Sequence, residues 1–183
     1  ETRGDGASEA STTAYVYDAV GQLTQATAAN GTSDASVSKW EYDALGQVTK
    51  STRGHGTTEV ADTLAAYDAF GRITSTTDAR GSVVARTYDV LDQLLTVTEQ
   101  LEAGTTDDQV TTYFYNSFGD VVKTIDARGN DSIAWYDVLG RVWLAFDGIA
   151  VTQTGYTVFG DLQQITRYFG TVTNTPAPST VPT

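Results

Sequence analysis

One arrangement of apolar and polar positions recurs seven times along the chain. In each copy an aromatic residue precedes a short polar cap, a glycine follows in most copies, and apolar residues resume after it. The first copy is Tyr15-Val16-Tyr17-Asp18-Ala19-Val20-Gly21-Gln22-Leu23. A period of 20 to 27 residues between copies is typical of repeat proteins. We therefore expect the recurring residues to build each repeat, and we look for chemistry among the residues that do not recur.

Each copy predicts a β-hairpin. In the third copy, Asp68-Ala69-Phe70-Gly71 matches a type I turn, which favours Asp at its first position and Gly at its fourth. The Asp carboxylate can accept from backbone N–H groups further along the turn, and Gly adopts a positive φ at little cost. We expect Tyr67 to end one strand, a four-residue loop to reverse the chain, and Arg72 to begin the returning strand.

Substitutions between copies follow the same turn chemistry. Asn116 replaces the Asp in one copy and Thr157 replaces it in another, while Asp92 stands in place of a Gly. Asn and Thr can cap a turn in the same way, and Asp tolerates positive φ. A catalytic Asp would not be expected to vary like this, so we assign a structural role to the turn residues Asp18, Gly21, Asp43, Gly46, Asp68, Gly71, Asp89, Asn116, Gly119, Asp137, Gly140 and Gly160.

The aromatic residue before each turn is also interpreted as structural. Alternate residues of a strand share one face, and neighbouring hairpins would align these rings into rows. The alternative is that exposed rings bind carbohydrate. Recurrence favours the structural role for Tyr17, Tyr42, Tyr67, Tyr88, Tyr115, Tyr136 and Tyr156.

The opposite ends of the hairpins predict a second row of turns. Asp78-Ala79-Arg80-Gly81 and Asp126-Ala127-Arg128-Gly129 repeat the Asp-x-x-Gly pattern, and Asp147-Gly148 predicts a looser turn. Longer copies carry insertions here, around Asn30-Gly31, from Ser51 to Asp62 and from Glu99 to Gln109. Insertions on one edge often mark a partner-binding side. With abundant Thr, Val, Tyr and Gly, the chain is predicted to be all-β.

Composition excludes several classes of function. The net charge of −12 disfavours nucleic-acid binding, because it repels phosphate backbones. The absence of Cys excludes disulfides and thiolate metal sites, and no apolar run is long enough to span a membrane. We expect no cofactor and no metal. A calcium site at Asp107-Asp108 is kept as an alternative, although no EF-hand loop accompanies this pair.

Enzymatic activity is not expected. His55, the single histidine, lies in the glycine-flanked insert Arg53-Gly54-His55-Gly56 and is interpreted as a solvated loop residue. No nucleophile elbow, phosphate-binding loop or zinc-protease motif occurs, and most carboxylates belong to turns. The alternative is a polysaccharide lyase or hydrolase.

The repeated Tyr-Asp-x-x-Gly-Arg-Leu-like blocks resemble the Rhs/YD-repeat family. Tyr67-Asp68-Ala69-Phe70-Gly71-Arg72-Ile73 and Tyr136-Asp137-Val138-Leu139-Gly140-Arg141-Val142 are the best copies. The likeness extends from about Tyr15 to Tyr168, with Gln22, Gln47 and Gln93 where the family often has Arg. The family includes bacterial Rhs polymorphic toxins, the cocoon component of insecticidal Tc toxins, wall-associated proteins and animal teneurins.

This resemblance implies tandem hairpins in a curved or spiralling antiparallel strip, which in the toxins encloses an effector. The Asp-Pro segment linked to self-cleavage in the family is missing, since the prolines are Pro176, Pro178 and Pro182. We expect a lead-in at 1–14, seven hairpins at 15–170 and a Pro/Thr-rich tail or linker at 171–183. Because the chain begins with Glu1 rather than Met, we expect a processing boundary there.

Two non-enzymatic functions remain as hypotheses. The first is a structural segment of a secreted or cell-surface protein that forms shell or scaffold wall around an effector, as part of a longer array. The second is an extracellular adhesin or self-assembling fibre that pairs through exposed edge strands and binds a receptor or glycan. The tripeptide Arg3-Gly4-Asp5 matches an integrin-recognition motif, but so short a match commonly occurs by chance.

Overall fold

Hairpins built from short strands make up the described part of the chain. The computed structural model describes residues 12–29, 35–54, 59–100 and 108–169. These residues form fourteen β-strands: β1 Thr13–Tyr17, β2 Leu23–Ala28, β3 Ser36–Tyr42, β4 Val48–Arg53, β5 Ala61–Tyr67, β6 Ile73–Thr77, β7 Val83–Tyr88, β8 Leu94–Gln100, β9 Gln109–Tyr115, β10 Val121–Ile125, β11 Asp131–Tyr136, β12 Val142–Phe146, β13 Ala150–Tyr156 and β14 Leu162–Phe169.

The strands follow chain order in an antiparallel meander that does not close, with β1 and β14 as its terminal strands. The prediction of an all-β array of tandem hairpins is therefore confirmed, while the curvature of the strip stays a prediction. The chain divides into two units, residues 1–83 and 84–183. The first unit contains β1 to β6 and the second contains β8 to β14, with most of β7.

The first turn of each hairpin is held by its own backbone and by its capping side chain. In all seven turns the fourth residue donates its N–H to the carbonyl of the first, at 3.0 to 3.4 Å. In the six turns that begin with Asp or Asn, Oδ1 accepts the N–H groups two and four residues on, at 2.8 to 3.0 Å. Thr157 Oγ1 accepts from Asp161 N at 3.1 Å.

The loop at each first turn has three residues, one fewer than the sequence predicts. The Asp68 N–H donates back to the Arg72 carbonyl, so only Ala69 to Gly71 lie inside the closing pair of hydrogen bonds. This is the three-residue hairpin in which a left-handed residue follows a type I turn. Gly71 has φ of +84°, and Asp92 reaches +70° at the equivalent position. The expectation of a four-residue loop was wrong because Asp68 already pairs with Arg72 and so stands outside the loop.

A second irregularity lies beside the tyrosine of six hairpins. In the first hairpin the pairing passes from Tyr17 with Leu23 to Val16 with Gln25, which leaves Thr24 as an extra residue on the returning strand. The same shift is found in β3–β4, β5–β6, β9–β10, β11–β12 and β13–β14. A bulge of this kind bends the strand and increases its twist.

The second edge differs from the sequence prediction in two respects. The Asp147-Gly148 connection is the shorter one rather than the looser: Asp147 N donates to the Ala150 carbonyl, and only three residues separate β12 from β13. The insertions are also narrower than predicted, because Arg53 still belongs to β4, Ala61 already begins β5, and β8 extends to Gln100. Strand pairing extends the hairpins into residues that the sequence pattern assigned to loops.

Very little of the described structure is buried. Trp135 at 3% exposure, Ala150 at 1% and Thr52 at 8% are the buried residues within the described ranges. A sheet normally covers its apolar face with a second layer. Here stability must come mainly from the turns and from contacts between neighbouring strands.

Gly140 tests the requirement for a positive φ at the turn. Its φ is +75° and nothing lies within 4 Å of where a Cβ would stand, so only backbone strain opposes a side chain. We expect Gly140→Val to lower the free energy of unfolding by roughly 1–2 kcal/mol, and Gly140→Asn by distinctly less, because Asn tolerates this conformation. Urea denaturation checks this. Equal stability of the Val and Asn variants would contradict the assigned turn.

Candidate functional site: the joints between hairpins

The residues that recur also connect each hairpin to the one before it. We use the word joint for the contact between the returning strand of one hairpin and the first strand of the next. The described joints are β2–β3 and β4–β5 in the first unit, and β8–β9, β10–β11 and β12–β13 in the second. They are the candidate functional site, because a repeat array works only if its joints hold.

A tyrosine hydroxyl crosses every one of these joints. It donates to the backbone carbonyl of the first residue of the preceding returning strand, at 2.7 to 2.9 Å. The pairs are Tyr42 with Leu23, Tyr67 with Val48, Tyr115 with Leu94, Tyr136 with Val121 and Tyr156 with Val142. The recurring tyrosine therefore has a polar function as well as an aromatic one.

The surroundings of two of these hydroxyls favour the protonated form. Burial raises the pKa of Tyr136, and the nearby Asp120 carboxylate raises it further. Burial likewise raises the pKa of Tyr115, with Tyr113 and Asp89 adding to the effect. A neutral phenol is the form that can donate to a carbonyl, so these shifts preserve the hydrogen bond.

The register is the same in all five joints. The residue two positions after the acceptor carbonyl always pairs with the residue three positions before the tyrosine. The pairs are Gln25 with Lys39, Lys50 with Leu64, Thr96 with Thr112, Lys123 with Ile133, and Leu144 with Gln153. A slip of one residue would turn every side chain to the other face, so the tyrosine bond and the strand register specify the same arrangement.

In four hairpins the residue that follows the first turn reaches towards the turn glycine of the next hairpin. A Cβ placed on Gly46 would lie 2.9 Å from Nε2 of Gln22, and one on Gly71 would lie 2.9 Å from Nε2 of Gln47. In the second unit, Gln93 and Arg141 approach Gly119 and Gly160 in the same way, at 3.3 and 3.4 Å. The glycine at these four turns thus meets two requirements: it adopts a positive φ, and it leaves room for a side chain of the preceding repeat.

Arg141 shows why this position suits a cation. Its Nη2 lies 2.6 Å from Oδ2 of Asp137, and its guanidinium lies 4.3 Å from the ring centroid of Tyr156. An arginine above an aromatic face is favourable. This side chain therefore joins its own turn to the tyrosine of the next hairpin. Arg72 makes the matching ion pair with Asp68 at 2.7 Å.

Apolar side chains project from the first turns. The third turn position carries a bulky apolar residue in every copy, between 72% and 90% exposed: Val20, Leu45, Phe70, Leu91, Phe118, Leu139 and Phe159. We call these residues the turn tips. Turn chemistry does not require an apolar residue at this position. Sequence reasoning missed the turn tips, although the signal is present, since the position is apolar in all seven copies.

The structure places the assigned residues in two groups. The capping residues Asp18, Asp43, Asp68, Asp89, Asn116 and Asp137 begin the first turns, and Gly21, Gly46, Gly71, Gly119, Gly140 and Gly160 end them with positive φ. The tyrosines end the strands that enter these turns, including Tyr17 and Tyr88. Sequence reasoning missed the carbonyl acceptors, because a backbone group leaves no mark on the residue type.

Within the described residues, the remaining candidates form no metal site. Among residues 12–29, 35–54, 59–100 and 108–169, no group of three or more His, Cys, Asp or Glu could hold a metal ion. In the same residues, no helix is long and apolar enough to cross a membrane. Outside the described residues lie Asn30-Gly31, His55, Asp107, the Arg3-Gly4-Asp5 tripeptide and the proline-containing tail.

These features define a repeat protein assembled from hairpins, and comparison with known proteins supplies the family. The sequence model of the RHS repeat matches residues 17–58 and 67–106. These two segments therefore match the RHS repeat, and the predicted resemblance to the Rhs/YD-repeat family is confirmed. None of the curated proteins matches this sequence.

Solved structures of similar fold are parts of Tc toxins. The TcdB2-TccC3-Cdc42 crystal structure matches with a TM-score of 0.64 and 15% identity, covering 87% of this chain and 10% of the other. The Tc holotoxin pore of Photorhabdus luminescens matches with a TM-score of 0.69 and 18% identity, covering 86% and 9%. At these identities the likeness shows the fold alone. The chain spans about a tenth of the length of these structures.

The tyrosine bond can be tested by removing one oxygen atom. In Tyr67→Phe the ring remains and the bond to the Val48 carbonyl, 2.9 Å long, is lost. We expect a decrease of about 0.5–1.5 kcal/mol in the free energy of unfolding. Tyr15→Phe is the control, since no hydrogen bond of that hydroxyl is found in the described structure and the residue is 57% exposed. Equal effects of the two substitutions in urea denaturation would refute the assignment.

Asp137 tests the electrostatics of the turn. The side-chain and backbone hydrogen bonds from Arg141 lower the pKa of the Asp137 carboxyl below its ordinary value of 3.8. The pKa of Asp137 is lower in the folded chain than in the unfolded chain. The stabilisation is therefore present at pH values above the ordinary pKa and is lost as the pH falls below it. The melting temperature of the wild type should therefore fall on acidification below about pH 4.

The matched variant is Asp137→Asn, which keeps the turn acceptor as Asn116 does but cannot titrate. Its melting temperature should fall less than that of the wild type between about pH 5 and pH 3, on either side of the ordinary carboxyl pKa of about 4. Identical acid profiles of variant and wild type would show that this carboxylate contributes nothing to the acid sensitivity.

Proposed function

We propose that this chain is a non-enzymatic structural segment of a larger YD-repeat assembly, in which its hairpins form part of a shell or scaffold wall. The observation that carries the proposal is the joint. The recurring Tyr, Asp and Gly residues are used in holding turns and in fastening hairpins to each other. Catalysis would require such residues to converge in a cleft instead.

The small number of buried residues supports the same role. With three buried residues in the described ranges, the sheet has little core of its own. Such a sheet is suited to enclosing or supporting something else. The coverage of only 9% to 11% of the Tc-toxin structures supports a place in a longer array. An enclosed effector or a surface receptor is the kind of partner that this role implies.

We further propose that the assembly is secreted or displayed at the cell surface, as is usual for the family that the repeats resemble. The net charge of −12 suits a solvated surface. A second candidate function, a self-assembling fibre subunit, is favoured by the exposure of β1 and β14, the two terminal strands. The adhesin and glycan-binding alternatives stay hypotheses.

Small-angle X-ray scattering and negative-stain electron microscopy of the purified chain test the wall role. A wall segment should be one sheet thick, on the order of 10 Å, and should turn over no glycan in a polysaccharide panel. A compact particle with two packed layers would contradict the proposal. So would glycan turnover that disappears when a carboxylate outside the turns is neutralised, for example in Glu41→Gln.

A further inference from the structure

The first and the last strand of the described sheet, β1 and β14, carry the two halves of one joint. At the first end, no partner for the Tyr17 hydroxyl is found in the described structure, and the residue is 57% exposed. At the other end, Leu162 occupies the position of Leu23 and Val142, the first residue of a returning strand. Within the described ranges, no tyrosine donates to its carbonyl. One end therefore presents the donor of a joint and the other presents the acceptor.

The residues of both strands are also largely exposed, and no other described strand pairs with their outer edges. Every residue of β14 is exposed except the half-buried Thr166, and every residue of β1 is exposed except the half-buried Ala14. Edge strands are usually protected by lysine, proline or an inward-facing charge. Neither strand contains lysine or proline, and their single cation, Arg167, is paired with Asp147 at 2.6 Å. These edges lack the usual protection against strand pairing.

We propose that β14 of one copy and β1 of a second copy form a joint of the same kind as the five within the chain. The Tyr17 hydroxyl of the second copy would donate to the Leu162 carbonyl of the first. The shared register then places Gln164 opposite Ala14 and Ile165 opposite Thr13. Because donor and acceptor lie at opposite ends of each copy, the contact is head to tail and can propagate into a filament.

The β10–β11 joint is the template for this contact. There the preceding hairpin places Asp120 after its turn glycine, and nothing lies within 4 Å of a Cβ on Gly140. The last hairpin likewise has Asp161 in that place, and the space beside Gly21 is also open. The proposed joint therefore repeats an arrangement that the β10–β11 joint already shows.

Association of the purified chain is the first test, measured by sedimentation velocity over a range of concentrations. The average mass should rise with concentration. Tyr17→Phe should lower the association constant roughly two- to tenfold, the effect of one net hydrogen bond. Tyr15→Phe, equally exposed on the same strand, should not change it. A chain that stays monomeric at all concentrations, or equal effects of the two substitutions, would overturn the proposal.

Disulfide trapping tests the register independently, since the chain has no cysteine. An Ala14→Cys chain mixed with a Gln164→Cys chain should give a linked dimer under mild oxidation, because paired residues lie within disulfide range. The control mixture, Ala14→Cys with Ile165→Cys, shifts the register by one residue and points the thiols to opposite faces. Equal yields from the two mixtures would refute the register.

Head-to-tail assembly rests on the proposed structural role, but the two can fail separately. A monomer that is one sheet thick would refute head-to-tail assembly and leave the wall proposal standing. A two-layered particle would refute the wall proposal even if copies associate.

Discussion

The hydrogen bond from a tyrosine hydroxyl to the first carbonyl of the preceding returning strand is the interaction on which this structure depends. Within a hairpin the two strands are held together by a tight turn, and a second tight turn also closes the β10–β11 and β12–β13 joints, whereas longer connections join the strands of the other three described joints. The hydroxyl supplies a directional contact there, and it coincides with one fixed register in all five described joints. A sheet with almost no buried core needs such specification, because it has few packing contacts with which to choose its register.

The turn and the joint share residues. A turn glycine takes a positive φ and also leaves room for the side chain of the preceding repeat, as Gly46 does for Gln22. The residue after the turn is Gln or Arg where its side chain reaches the next turn glycine, and it is Asp at Asp120 and Asp161. Where Arg is present, as at Arg141, it adds an ion pair and a contact with the next tyrosine. Each residue is therefore constrained by two neighbouring hairpins.

Local chemistry was predictable from the sequence, and contacts between repeats were not. The Asx turn at Asp68 follows from an Asp and a Gly three positions apart, and the chain's own substitutions at Asn116 and Thr157 agree with it. The acceptor carbonyls could not be predicted, because every residue has one. The Asp147-Gly148 turn was misjudged since its tightness depends on where the flanking strands stop pairing. The apolar turn tips were visible as a pattern, but the chemistry of the turn gives them no role.

Exchange of the tyrosine hydroxyl protons, followed by NMR at low temperature, tests the central claim most directly. We predict slow exchange for Tyr42, Tyr67, Tyr115, Tyr136 and Tyr156, whose hydroxyls donate across joints. Fast exchange is expected for Tyr15, which is exposed. Equally fast exchange of all these hydroxyl protons would contradict the claim that the tyrosine bond fastens one hairpin to the next.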